Sequence, residues 1–154
     1  MADKPTHQLT RFIDKYSPEV AAVARAALAR MRARLPGAVQ LVYDNYNALV
    51  IGFGPTERAS DAVFSIALYP RWVNLFFLNG AGLHDPHKLL QGSGSRVRSI
   101  RLDSVSVLDA PAVRMLMAEA IEGAKPFNRA KVGRIVIKAI VRKQRPRRPI
   151  VNRT

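Results

Sequence analysis

The chain has 154 residues, 48% of them hydrophobic, and no cysteine, which suits one domain with an ordinary core and excludes disulfides, thiolate zinc sites and thiol nucleophiles. Its formal net charge is +14, from 25 Lys+Arg against 11 Asp+Glu. All 11 acidic residues lie within residues 1–122, whereas residues 123–154 carry 11 basic residues and no acid, so the asymmetry belongs to the C-terminal segment. Such a block attracts polyanions through long-range fields and counterion release; equally, it can serve as a solvated tail. The N-terminal MADKPTHQLTRFIDKY lacks the apolar core of a signal peptide, and no apolar stretch approaches the roughly 20 residues that span a bilayer. A soluble, cytoplasmic protein is expected.

In chain order, a short helical turn is expected around Leu9 to Lys15. Ser17-Pro18-Glu19 then predicts a helix start, with a serine cap, proline in the first turn and an acid at the positive end. Val20, Ala24, Ala27, Leu28, Met31 and Leu35 follow as an apolar stripe at helical spacing, and Pro36-Gly37 ends it. Arg25, Arg30, Arg32 and Arg34 flank the stripe and read as a solvated face in preference to an anion site. The period then changes. Val39, Leu41 and Tyr43 alternate with Gln40 and Val42, and Asp44-Asn45 marks a turn. Asn47–Phe53, Ala62–Tyr69 and Trp72–Leu78 read as further strands, and their short connections favour antiparallel neighbours.

A glycine-rich stretch, NGAGLHDPHKLLQGSGSRVRSIRL (79–102), joins these strands to a fifth at Val97–Leu102. Asp109 with Pro111 predicts the start of a second helix, whose apolar face is Val113, Leu116, Met117, Ala120 and Ala124. Residues 134–141 are rich in β-branched side chains and read as a strand, although a short buried helix fits their all-round apolarity. Two prolines and three arginines in Gln144–Pro149 exclude an interior element, and an extended, exposed basic tail is expected there.

The glycine-rich stretch invites three chemical readings. A phosphate-binding loop needs Gly-Lys-Ser/Thr after a spaced glycine, which is missing, and a dinucleotide fingerprint needs glycine where Val97 stands. The stretch also leads into a strand, whereas a phosphate is best held at a helix N-terminus. A weaker anion nest remains, built from Gly92, Ser93, Gly94, Ser95 and the side chains of Arg96 and Arg98, against the plainer role of a turn. His84, Asp85 and His87 have metal-ligand chemistry, with His7 the one other histidine. Asp85-Pro86 is itself a helix-start signature, however, and capping uses the carboxylate that a metal needs. No metal site or cofactor is therefore assigned. Asp103, Asp109, Glu119 and Glu122 show no pairing that would separate their pKa values, and no serine stands in a Gly-x-Ser-x-Gly elbow. The chain does not read as an enzyme.

Phe12–Tyr16 with Ser17-Pro18, the strand-and-turn WVNLFFLNGAGLHDP and the following LLQGSGSRVRSIRL resemble the YdhG-like proteins, a small bacterial family catalogued as domain-of-unknown-function family 1801. The resemblance runs from about Leu9 to about Ile121 and rests on the ordered series Gly-Ala-x-Leu, Asp-Pro, Leu-Leu and Gly-x-Gly; the KQRPRRP ending also looks like that of some members. It implies an α+β domain, an antiparallel sheet of about five to six strands flanked by N-terminal and C-terminal helices, reminiscent of frataxin and with no established enzymatic activity. Some members have been proposed as intracellular iron chaperones, which supplies an alternative function. Iron binding of that type favours carboxylate oxygens, and only Glu119 with Glu122 offers them as a group here. Many relatives have Gly-x-Gly-Lys in the glycine loop, where this chain has Ser95.

The combined reading is a single domain over residues 1–142 with a basic tail over 143–154. Its ligand is unknown, with polyanion contact through Arg142, Lys143, Arg145, Arg147 and Arg148. No aromatic residue interleaves these cations, so contact with a nucleic acid or other polyanion is expected to be sequence-independent.

Overall fold

The computed structural model describes residues 4–150; residues 151–154 of the expected tail lie outside them. Two helices open the chain, α1 (Pro5–Asp14) and α2 (Pro18–Arg34). Strands β1 (Val39–Asp44), β2 (Leu49–Gly54), β3 (Phe64–Leu68), β4 (Val73–Phe77) and β5 (Arg98–Leu102) follow, then α3 (Pro111–Glu122) and β6 (Arg134–Ile140). Three 3-10 turns, at Ala59–Asp61, Gly80–Gly82 and Val105–Asp109, sit between them. The protein is thus α+β, with a six-stranded sheet in the order β5-β4-β3-β2-β1-β6.

Helix α2 begins where its local chemistry dictates. The Ser17 hydroxyl accepts from the Val20 amide at 3.3 Å and Pro18 occupies the first helical position, a cap worth about 1 kcal/mol. Ala24 and Ala27, both 0% exposed, let the helix approach β3 and β4 closely. The helix stops before Gly37, whose φ of +83° suits a residue without a side chain. An added Cβ there would strike the Asn128 carbonyl.

The first five strands form an antiparallel meander. β6 instead pairs with β1 in parallel, so the sheet is mixed and the expectation of a purely antiparallel sheet is corrected. Short turns oblige a chain to reverse, and the Tyr69–Trp72 turn does so with two central residues, Pro70 and Arg71. The path from β5 to β6 runs through α3 and more than thirty residues, long enough to carry the chain back before it joins the opposite edge. A one-residue irregularity between Val42 and Tyr43 leaves Lys138 as the extra residue of β6.

The sheet has two unlike faces. Val42, Ile51, Ile66 and Leu75 point into one core together with Phe12, Leu28, Leu116 and other residues of all three helices. Phe64 and Phe77 meet edge-on within it, their ring centroids 5.4 Å apart, an arrangement that adds about 0.5–1.5 kcal/mol beyond burial. The alternating set Val39, Leu41 and Tyr43 belongs to the other face, because Val42 lies in the helix-side core and Val39 and Leu41 do not.

Candidate polyanion-binding surface

The C-terminal segment is pinned to the end of the sheet by its own polar groups. Beyond β6, the Val141 amide donates to the Asp44 carbonyl at 2.9 Å and the Arg145 amide to the Tyr46 carbonyl at 2.9 Å. Gln144 donates to the Val141 carbonyl at 2.9 Å. Arg147 then turns inward. Its guanidinium donates to the Asp44 carboxylate at 2.9 Å and the Asn45 carbonyl at 2.5 Å, and lies 5.6 Å from the Tyr16 ring centre. The Asp44 side chain is 0% exposed and its other oxygen receives Lys15 Nζ at 3.1 Å. Burying a carboxylate costs several kcal/mol unless cations and donors surround it, so Asp44 requires both partners. The Arg147 Nε is the one buried side-chain polar atom among the described residues that has no partner.

Tyr16 completes this cluster. Its hydroxyl accepts from the Leu49 amide and donates to the Leu68 carbonyl, each at 3.0 Å, and so bridges β2 and β3 at the sheet's end. Burial pushes its pKa up to about 12, against the opposing pull of the Arg147 guanidinium. Arg148 stays outside and donates to the Lys15 carbonyl at 3.2 Å, at the negative end of α1.

These contacts sort the five tail cations. Arg142, Lys143, Arg145 and Arg148 are exposed, whereas Arg147 is buried. Arg147 is the exception to the exposed basic tail expected from the sequence, and it leaves the polyanion-binding set because its charge is spent on Asp44. Sequence reasoning placed Asp44 in a turn and gave Tyr16 no role in a site, whereas Asp44 ends β1 and is buried with Tyr16. The available signal was register: Asp44 continues the Gln40–Val42 side of β1, which faces the core, and a buried strand-end acid demands a cationic partner.

The glycine loop spends its arginines internally. Arg98 donates to the carbonyls of Gly94 at 2.6 Å and Val97 at 2.8 Å, and Arg96 donates to Asn79 Oδ1 at 2.8 Å. Gln91 and Ser99 exchange backbone hydrogen bonds across the loop's base, and Gly92 takes a φ of +128° to allow it. Ser93, Gly94 and Ser95 are exposed at the tip. The two guanidinium groups therefore close the loop onto its own carbonyl and amide oxygens, where an anion nest would present them outward.

The remaining sequence candidates are also occupied. Asp85 accepts from the Leu89 amide at 2.9 Å and the Leu90 amide at 2.8 Å; the residues around it form a turn, which corrects the expectation of a capped helix. His84 donates its amide to the Glu119 carboxylate at 3.1 Å. Among the described residues no group of three His, Asp or Glu side chains is placed to hold a metal ion. A cleft of about 610 Å³ beside the C-terminal half of α3 carries Asp61, Glu119, Glu122 and Lys125. Hydrogen bonds from Thr56 and Lys125 hold the Asp61 carboxyl below its ordinary pKa. Asp109 does not cap α3, which begins after Ala110; it holds Arg30 at 3.1 Å and also pairs with Arg34. Arg25 pairs with Asp14, and Arg32 donates to Gln40 at 2.8 Å. All four arginines of α2 contact polar groups elsewhere in the fold, yet Arg25, Arg30 and Arg32 stay exposed, as a solvated face requires, and only Arg34 is half-buried.

Among the described residues no helix is long and apolar enough to cross a membrane. Compared with known proteins, the chain matches no family model, no curated protein and no solved structure.

Proposed function

We propose that this chain is a non-enzymatic, polyanion-binding domain of the YdhG-like family that works in the cytoplasm. The observation that carries the reading is the placement of Arg142, Lys143 and Arg145, exposed on a segment that Arg147 and the Asp44 pocket hold in place. Cations on a pinned segment forfeit less conformational entropy on binding than cations on a free tail, and no acid follows Glu122 in the sequence to compete with them. The iron-chaperone alternative has less support, since Glu119 already accepts the His84 amide and Asp61 is paired with Lys125.

The test is a salt titration of binding to generic duplex DNA. The logarithm of the affinity should fall linearly with the logarithm of salt concentration, and an Arg142→Gln/Lys143→Gln/Arg145→Gln variant should flatten that slope by about 2–3. Substitution is cleaner than deletion of the segment, which would also remove Arg147. Absence of binding at low salt, or an unchanged slope in the triple variant, would overturn the proposal.

A further inference from the structure

The sheet face opposite the helices carries a second feature that matches nucleic acid more closely than charge alone. Register sets Arg101, Asn74, Ala67, Val50 and Tyr43 side by side in one row. Phe76 and Ser65 lie in the adjacent row, and Tyr69 and Trp72 extend β3 and β4 by one more pair. Tyr43, Tyr69, Asn74 and Phe76 are only half-buried, and Trp72 is 38% exposed. An antiparallel sheet that faces water ordinarily presents polar side chains there; this one presents aromatic rings.

Cations stand beside those rings, with Glu19 and Asp103 also close to Trp72. Arg101 lies with its guanidinium 4.7 Å from the centre of the Trp72 ring, although it also approaches Asp103 at 3.5 Å. No strand residue of this face is acidic; the row that begins at Arg101 ends at Ala139 on β6, and Arg134, which is paired with Glu57, ends a separate row with Val39 and Gly54. At the same end of the sheet as Trp72, Arg145 lies 5.9 Å from the Tyr46 ring, next to Arg142 and Lys143. Trp72 and Phe76 are four residues apart on one strand, roughly 13 Å, and Tyr43 lies three strands away, roughly 14 Å. A surface of that extent holds two or three bases.

We infer that the helix-free face binds single-stranded nucleic acid, with bases stacked on Trp72, Phe76 and Tyr43 while the backbone runs past Arg101 toward the C-terminal cations. The inference rests on the polyanion reading and narrows it. Rings accept unstacked bases of any identity, whereas a duplex keeps its bases stacked and offers phosphates alone. Charge complementarity favours this occupant over an apolar protein surface, which would offer nothing to the exposed Arg142, Lys143 and Arg145 at the sheet's end.

Trp72 is the single tryptophan of the chain, so its fluorescence reports on the face directly. The full chain is titrated at fixed salt with a mixed-sequence single-stranded RNA of about 12 nucleotides, a length that covers the platform with margin, with the matching duplex, and with inorganic polyphosphate. Expected results are quenching of Trp72 by the single strand alone and preference for the single strand over the duplex. Phe76→Ala should weaken the single strand roughly tenfold and leave polyphosphate binding unchanged. Trp72→Leu, at an exposed turn position, provides a second variant read by anisotropy of a labelled oligonucleotide should Phe76→Ala fail to fold. Equal binding of single strand and duplex without quenching overturns the stacking inference and leaves the polyanion reading standing. Failure to bind any of the three at low salt overturns both. A dimer that forms without nucleic acid and dissociates in the Trp72 variant would assign the face to a second copy of the chain and also overturn the inference.

Discussion

Asp44 and Asp109 are each held by two cationic side chains, yet they sit in opposite solvents. Asp44 meets Lys15 and Arg147 with its side chain 0% exposed, whereas Asp109 meets Arg30 and Arg34 with 40% of its side chain in water. Water screens the second cluster and competes for its donors, so such pairs contribute little. The first cluster has no such substitute. Removing one partner strands a buried charge, and the loss is large even where the intact pair is close to neutral against an apolar replacement. Arginines a few positions apart in one basic segment therefore have different roles: Arg147 fastens the segment, Arg148 ties to the Lys15 carbonyl, and Arg142 and Arg145 stay exposed to meet a ligand.

The sharpest way to break the comparison is Arg147→Ala, which should cost about 3–5 kcal/mol in urea unfolding. The double variant Asp44→Asn/Arg147→Met should lose less than the sum of its single changes, because the stranded charge disappears with its partner. Equal losses for Arg147→Ala and an Asp109→Asn variant would erase the distinction between the two clusters.

Tyr16→Phe ranks next, at about 1–3 kcal/mol, since it leaves the Leu49 amide and the Leu68 carbonyl without their buried partner. It also has a pH signature. The neutral hydroxyl is favoured in the fold, so its contribution is fully present below the unfolded value of 10.0 and is lost as pH rises through about 12. Phenylalanine at this position should flatten the alkaline limb of a stability–pH profile. A limb of unchanged steepness would place the alkaline transition elsewhere.

Asp109→Asn should have a smaller effect, confined to acid. A hydrogen bond from Arg30 holds the Asp109 carboxyl below its ordinary value of 3.8. Its contribution is therefore present above that value and lost as pH falls through the lower folded one. Thermal melts of the two proteins should diverge near neutrality and converge in acid. Arg142→Gln and Lys143→Gln should change stability least, within about 0.5 kcal/mol, because both side chains are exposed. A larger loss would show that these cations also hold the fold and would weaken their assignment to a ligand.

Much of the architecture was legible in local chemistry. Ser17 and Pro18 mark the start of α2, the Val20–Leu35 stripe marks its buried side, and the Pro70-Arg71 turn forces β3 and β4 antiparallel, each through interactions within a few residues. The β-branched run at 134–141 likewise carried enough propensity to be read as a strand. Caps, apolar periodicity and tight turns are short-range effects, and the sequence by itself determines them.

The site depended on contacts that no local pattern encodes. Arg147 reaches Asp44 across 103 positions, and that meeting alone separates a fastening arginine from otherwise similar neighbours. Arg98 reads as an anion ligand until its loop closes and turns it onto the carbonyls of Gly94 and Val97. The direction of β6 follows from the path of a long connection, which strand propensity does not constrain. The aromatic face exists only because four strands align Tyr43, Phe76, Tyr69 and Trp72 on the side the helices leave uncovered. Burial decides each case, since a side chain's charge or ring becomes a fastener or a ligand site according to whether tertiary packing removes it from water.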